Sequence, residues 1–259
     1  MNSWDRSLNS ESVKTIVREI LLKKPELAAD QVVPIVIDVI KRITPIPEIE
    51  KFRAQIIDAG RHLYNIGFMP ATSGNISVRL PDNTLLISAS GIKKGKLKPA
   101  DILHIDLSGR IVTPSDRKPS SETKMHLAVY RERPDINVVV HTHPPYSTAL
   151  AAARITLDAP ILPETILFLG KIPLVEYSTP STREVSDNLI PWLSDHQAFL
   201  LANHGALVLG ENLEQAVDRM ELLENYARIY SVSNQLGGPV ELTRQELSRL
   251  IDVWKNRGS

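Results

Sequence analysis

The stretch Val138-Val139-Val140-His141-Thr142-His143-Pro144 decides how this chain reads. Its β-branched apolar run predicts an extended strand, and a strand turns every second side chain to the same face. His141 and His143 then lie on one side, where both imidazoles can reach a single metal ion. On a helix the same spacing would aim them about 200° apart, at ~100° per residue. Half of a metal site therefore follows from strand geometry. His204, in Asn203-His204-Gly205, follows the apolar run Ala198-Phe199-Leu200-Leu201-Ala202 and so also emerges at a strand end. Glu122 stands in Pro119-Ser120-Ser121-Glu122. Three neutral nitrogens with a nearby carboxylate suit a catalytic divalent metal with an open coordination position.

The bulk of the chain narrows the alternatives. Its 259 residues are enough for one large core. Thirty basic and thirty acidic residues cancel, which argues against a nucleic-acid partner, although small anions can still be bound locally. Cysteine is absent, so thiolate zinc sites and cysteine nucleophiles are excluded, and any metal is held by His, Asp or Glu. No run approaches the ~18 apolar residues of a membrane span. The start, Met1-Asn2-Ser3-Trp4-Asp5-Arg6, lacks the pattern of a secretory signal, and a cytoplasmic protein is expected.

Outward from the histidine strand, the pattern is mixed. Apolar positions at helical spacing predict helices over Val13–Leu22, Gln31–Ile43 and Glu48–Ile66, with Thr44-Pro45-Ile46-Pro47 as a stiff break. Short strands are expected at Ile76–Leu80, Thr84–Ser88, Ile102–Leu107, Asn137–His141, Leu174–Tyr177, Ala198–Ala202 and Ala206–Leu209. Helices are expected near Ser121–Arg131, Tyr146–Ala153, Thr182–Leu193, Leu213–Leu236 and Thr243–Lys255. Hairpins mixed with crossover helices imply an α/β fold with a mixed, largely antiparallel sheet covered by helices on both faces. The parse is a helical N-terminal extension, residues 1–47, followed by one catalytic domain, 48–259.

Several residues admit two readings. Glu122 falls in the first turn of a helix, where a carboxylate is favoured by the macrodipole; it either helps start that helix or serves as a base beside the metal. His126, one turn on, lines the edge of the site or is structural, the plainer reading. His62, His104 and His196 lack the context of the other three. Thr72-Ser73-Gly74-Asn75, Ser88-Ala89-Ser90-Gly91 and Ser120-Ser121 are small-residue turns at strand ends or a helix start. Hydroxyls, glycine amides and a helix N-terminus are the parts of a phosphate cradle, with Lys93-Lys94-Gly95-Lys96 adding positive charge.

Taken in order, Thr72-Ser73-Gly74-Asn75-Ile76-Ser77, Ser90-Gly91, Pro119-Ser120-Ser121-Glu122, His141-Thr142-His143 and Asn203-His204-Gly205 resemble the class II aldolase/adducin family over roughly residues 50–235. The resemblance implies a three-layer α/β/α sandwich, assembled as a homotetramer with active sites between subunits. It implies zinc, or another divalent metal such as manganese or cobalt, on His141, His143 and His204. Glu122 is implied as metal ligand at rest and proton-transfer base when substrate displaces it. Thr72, Asn75, Ser90, Gly91, Ser120 and Ser121 are implied around the phosphate of a small-molecule sugar phosphate. The reaction implied is that of the fuculose-phosphate aldolase branch: cleavage of a ketose 1-phosphate to dihydroxyacetone phosphate and an aldehyde through a metal-stabilised enediolate.

The chain departs from that branch where the branch carries a tyrosine proton donor. Leu162-Pro163-Glu164-Thr165 stands there, so Glu164 is the candidate acid, and no tyrosine follows Tyr230 to handle the aldehyde. A glutamate near this position is also a mark of the methylthioribulose-1-phosphate dehydratase branch, the first alternative. Sugar-phosphate 4-epimerases usually carry aspartate where Glu122 stands. A non-catalytic, adducin-like scaffold would have lost the metal residues that this chain keeps.

Overall fold

The computed structural model describes residues 18–24, 27–28, 30–33, 35 and 47–256. The chain divides into two compact units, Met1–Glu50 and Lys51–Ser259. In the first, residues 18–23 and 30–33 are helical. Positions 13–17 and 36–43 of the two expected helices, and 44–46 of the break, lie outside the described residues.

Seven strands make one sheet: β1 (Asn75–Arg79), β2 (Leu85–Ser88), β3 (Ile102–Ile105), β4 (Val138–Thr142), β5 (Leu174–Val175), β6 (Ala198–Leu201) and β7 (Gly205–Gly210). Their order is β3-β2-β1-β4-β7-β6-β5, which puts the histidine strand at the centre. Every neighbouring pair is antiparallel except β5 and β6. The helices are α1 (Pro47–Asn65), α2 (Thr123–Glu132), α3 (Pro145–Ala152), α4 (Pro163–Phe168), α5 (Glu184–Leu189), α6 (Leu213–Gln235) and α7 (Arg244–Lys255).

Strand alternation sorts the core into two layers. On one face Ile87, Val139, Leu207 and Leu209 pack with Met125 and Val129 of α2 and Val185 and Leu189 of α5. The even-numbered residues of β4 turn to the other face, covered by α3 and α6; there Thr142 Oγ1 donates to Met220 Sδ at 3.0 Å. Helices therefore cover both sides of a mixed, mostly antiparallel sheet. The pairing fixes function as well as fold. Asn75 stands opposite His141, and Ser77 opposite Val139. A slip of one residue would carry His141 to the α6 face.

The structure departs from expectation at the edges. β5 ends at Val175 rather than Tyr177, since as an edge strand it has a single partner, β6. The six-residue α4 breaks no long periodic run, so its pattern is too short to announce a helix; Pro163 at its start supplies the helical φ.

The start of α3 shows how closely packing is tied to the histidine strand. Pro145, its first residue, has no N–H to satisfy. The next two amides, Tyr146 N and Ser147 N, donate to the Glu224 carboxylate of α6 at 2.7 and 2.8 Å, and Ser147 Oγ adds a third bond at 2.7 Å. Glu224 is buried, and this anchorage holds the segment that follows His143-Pro144. Glu224→Leu should strip the acceptor from two amides, that of Ser147 buried, and stability to urea should fall by about 3 kcal/mol. A loss under about 1 kcal/mol would show that water replaces the carboxylate at little cost.

Candidate metal centre

His141 and His143 leave the end of the central strand, and His204 stands in the tight turn from β6 to β7. Asn203, just before it, takes a left-handed φ of 53° to make that turn. Gly205 follows because no side chain fits: a Cβ there would lie 2.4 Å from Thr142 O and 2.8 Å from His143 Cδ2. Close backbone approach thus lets one hairpin bring His204 against the other two.

One ligand nitrogen from each of His141, His143 and His204 lies within 4.8 Å of the others. His141 Nε2 and His143 Nε2 are 3.0 Å apart, near the ~3.3 Å expected between two ligands of a tetrahedral ion with bonds of about 2.0 Å. His141 is wholly buried and its Nδ1 meets Ala206 O at 2.9 Å. That carbonyl can only accept, so Nδ1 carries the proton and the Nε2 lone pair faces the cluster.

Glu122 completes the cluster. It directly precedes α2, yet its side chain caps nothing in that helix, which removes the reading of a residue that only starts α2. Its Oε1 lies 2.9 Å from His204 Nε2 and its Oε2 lies 3.4 Å from His141 Nε2. Oε1 is shut away from solvent with no aligned hydrogen-bond donor, the state of an oxygen that a cation would satisfy. Burial pushes this carboxyl up, but His141, His204 and the Asn75 amide outweigh it and hold it well below the usual range. Burial lowers the pKa of His141, and it pushes His143 down to about 3 with help from its two neighbouring imidazoles. The His143 ring is therefore neutral in ordinary buffers, and the shift of His141 favours its neutral form as well. Three imidazole nitrogens and one carboxylate oxygen fit a zinc, manganese or cobalt ion.

The three small-residue turns meet beside this cluster. Ser90 N donates to Lys118 O at 3.0 Å and Ala89 bridges to Pro119, which lays the Ser90-Gly91 turn next to Ser120-Ser121. Lys94 Nζ donates to Thr72 O at 3.2 Å and Ile92 O at 2.9 Å, tying the third turn in. Lys94 is buried, and that burial pushes its amine down to about 8, against the pull of Glu122. Thr72, Ser90, Gly91 and Ser121 are exposed and Ser120 is half-buried. Gly91, at φ 73°, has open space where a Cβ would sit. Asn75 differs. It is buried, and its amide nitrogen donates to Ser120 Oγ at 3.0 Å and Glu122 Oε2 at 2.7 Å, which uses both N–H bonds.

Glu164 is not brought to this cluster within the protomer. It sits in the first turn of α4 and lines a cavity of about 580 Å³ with Asn212, Gln215, Asp218 and Arg219 of the α6 start. That start follows Gly210, which pairs with Val138, whereas the histidines lie at the Gly205 end of β7. Two residues have roles that their sequence context hides. Lys94 falls in a run that reads as exposed and basic, yet only Lys93 and Lys96 of its three lysines are exposed. His126 is wholly buried against Asn75 and Ser77. Its one signal in the sequence is the i, i+4 spacing from Glu122.

Known proteins place the chain. The model of the Class II Aldolase and Adducin N-terminal domain matches residues 54–231. The 3-oxo-tetronate 4-phosphate decarboxylase of Pectobacterium atrosepticum is 36% identical, covering 70% of this chain and 84% of that protein. The 5-deoxy-D-ribulose 1-phosphate aldolase of Bacillus thuringiensis serovar kurstaki is 34% identical, covering 81% and 98%. The crystal structure of L-fuculose-1-phosphate aldolase from Thermus thermophilus is similar with a TM-score of 0.62 at 31% identity, over 72% of this chain and 97% of that one. No helix among the described residues is long and apolar enough to cross a membrane. The chain is an enzyme of the class II aldolase and adducin family.

Proposed function

We propose that this enzyme is a metal-dependent aldehyde-lyase that cleaves a ketose 1-phosphate, such as fuculose 1-phosphate, into dihydroxyacetone phosphate and an aldehyde. The observation that carries this reading is the convergence of His141, His143, His204 and Glu122 beside three hydroxyl-rich turns. A divalent ion held by these histidines would supply Lewis acidity to the carbonyl and neighbouring hydroxyl of the ketose, in place of a lysine Schiff base. Glu122, held ionised, is suited to take a proton from the hydroxymethyl carbon. Thr72, Ser90, Gly91, Ser120 and Ser121 would hold the phosphate; Asn75 joins them only by giving up one of its two N–H bonds. Phosphate contacts lie away from the reacting bond and serve binding and orientation.

The relatives named above support the class of substrate and leave the bond broken open between two reactions. Aldol cleavage and decarboxylation both leave an electron pair beside a carbonyl, so one metal and one phosphate cradle can serve either. Incubation of the metal-loaded enzyme with pentulose and hexulose 1-phosphates decides. Dihydroxyacetone phosphate should appear, and removal of the metal should abolish its release. Loss of water with the carbon chain intact would instead assign a dehydratase, and carbon dioxide from a 3-oxo-acid phosphate a decarboxylase.

Glu122→Gln should leave the KM for ketose phosphate within a few-fold. Hydrogen exchange at the hydroxymethyl carbon of dihydroxyacetone phosphate should slow by about 10²- to 10⁴-fold; continued exchange would place the base elsewhere. Glu164 we assign as the proton donor of a neighbouring subunit's site in a homotetramer, because its own protomer holds it at the far end of the sheet. Oligomers mixed from Glu164→Gln and His141→Ala chains should then recover activity that each variant lacks alone. No recovery in oligomers shown to be mixed would make Glu164 structural.

A further inference from the structure

Behind Glu122 a row of buried polar side chains runs away from the metal cluster between β1 and α2. Asn75 and Ser77 project from the same face of β1, two residues apart, a spacing of about 6.6 Å along a strand. Glu122, His126 and Tyr130 stand four residues apart at the start and along one face of α2, a spacing of about 6.0 Å. The two repeats nearly match, so the side chains interleave. Asn75 Nδ2 donates to Glu122 Oε2 at 2.7 Å. His126 Nε2 bonds Asn75 Oδ1, and His126 Nδ1 lies 2.6 Å from Ser77 Oγ. Ser77 Oγ lies 2.8 Å from Tyr130 OH. Ser77, His126 and Tyr130 are all buried.

The direction of every bond follows from the carboxylate end. An ionised Glu122 can only accept, so Asn75 must turn its NH₂ toward it and its carbonyl away. Asn75 Oδ1 then needs a donor, which makes His126 the Nε2–H tautomer. His126 Nδ1 in turn accepts the Ser77 hydroxyl proton, leaving the Ser77 oxygen to accept from Tyr130. No member can be reversed without setting two acceptors or two donors face to face in a buried space. Burial pushes the His126 imidazole down to about 3, with His141 adding to the effect against Glu122, so the ring stays neutral.

We propose that His126 is a positioning residue. By donating from Nε2 to Asn75 Oδ1 it holds the amide N–H against Glu122, and so sets where that carboxylate points among the three histidines. The effect on catalysis rests on Glu122 being the base, as proposed above; the effect on geometry does not.

Two variants test this, Ser77→Ala and His126→Leu, the first being the milder should the second fold poorly. Ser77→Ala removes the donor to Nδ1 and leaves that nitrogen unpartnered in the buried row, so the ring that anchors the Asn75 amide is no longer held in place. Each folded variant should keep its metal content and a ketose phosphate KM within about 3-fold, while kcat falls by about 10- to 100-fold, the scale of a displaced catalytic group. A kcat within about twofold of the parent, or loss confined to the unfolded fraction, would overturn the proposal. Nitrogen NMR of the parent should show the His126 proton on Nε2, the tautomer that its bonds to Asn75 Oδ1 and Ser77 Oγ require; a proton on Nδ1 would overturn it. In crystals of Ser77→Ala, Glu122 should be withdrawn from its 2.9 Å approach to His204, and an unmoved carboxylate would overturn it. If the parent shows no proton exchange on any ketose phosphate, the base assignment fails, while the tautomer and the carboxylate position still decide the role of His126.

Discussion

A histidine wholly buried on the central strand of a sheet must satisfy two ring nitrogens without water, and most of this structure follows from how His141 does so. Ala206 O on the neighbouring strand takes Nδ1–H. That single bond selects the tautomer, orients the ring and leaves Nε2 as a bare lone pair inside the protein. A lone pair in such a place costs free energy unless something positive meets it. The nearest groups are two more imidazoles and a carboxylate, and a proton shared between any two of them leaves the others unmet. One cation satisfies all four at once. The metal centre is thus the answer to a hydrogen-bonding deficit that the sheet itself creates.

The deficit is local, but the groups that answer it come from far apart in the chain. β4 supplies His141 and His143, the β6–β7 turn supplies His204, and the approach to α2 supplies Glu122. Antiparallel pairing of β4 with β7 brings the hairpin turn to the histidine end of the strand. Gly205 permits the closeness, since any side chain there would push into the Thr142 carbonyl and the His143 ring. Pairing of β4 with β1 sets Asn75 opposite His141, and Asn75 reaches Glu122. Sheet register therefore places all four clustered groups, three directly and one through an amide.

Much of this was legible in the residues. Val138–Val140 reports a buried strand through its run of β-branched residues, which suits a strand covered on both faces, where periodicity itself is silent. The His-x-His pair then needed only strand geometry to become a shared site. What stayed hidden depends on contacts between elements. The burial of Lys94 is set by the Thr72 and Ile92 carbonyls it meets, and nothing in a Lys-Lys-Gly-Lys run tells which lysine turns inward. His126 reads as an ordinary core position of α2 until β1 is laid against it. Glu164 is the sharper lesson. Its place in the order of motifs suggested the acid of the site, yet α4 is packed on the α6 start at the far end of β7. Sequence order says which residues follow one another along the chain and says nothing of where the packing of α4 holds Glu164.

The same geometry explains why the metal and phosphate ends of the site are easier to read than the bond that breaks. Metal ligands and anion donors are held by the sheet and by backbone turns, so their chemistry is written in short local motifs. The proposed leaving-group end has no such frame among the four clustered groups and the three turns, and a site that grips one end of its substrate can pass several leaving groups from the other. Asn75 marks the boundary between the two ends. Both of its N–H bonds are spent, one on Ser120 and one on Glu122. Any ligand that draws on Asn75 must therefore draw on the hold it keeps over the carboxylate, so the proposed cradle and the proposed base are joined through a single amide.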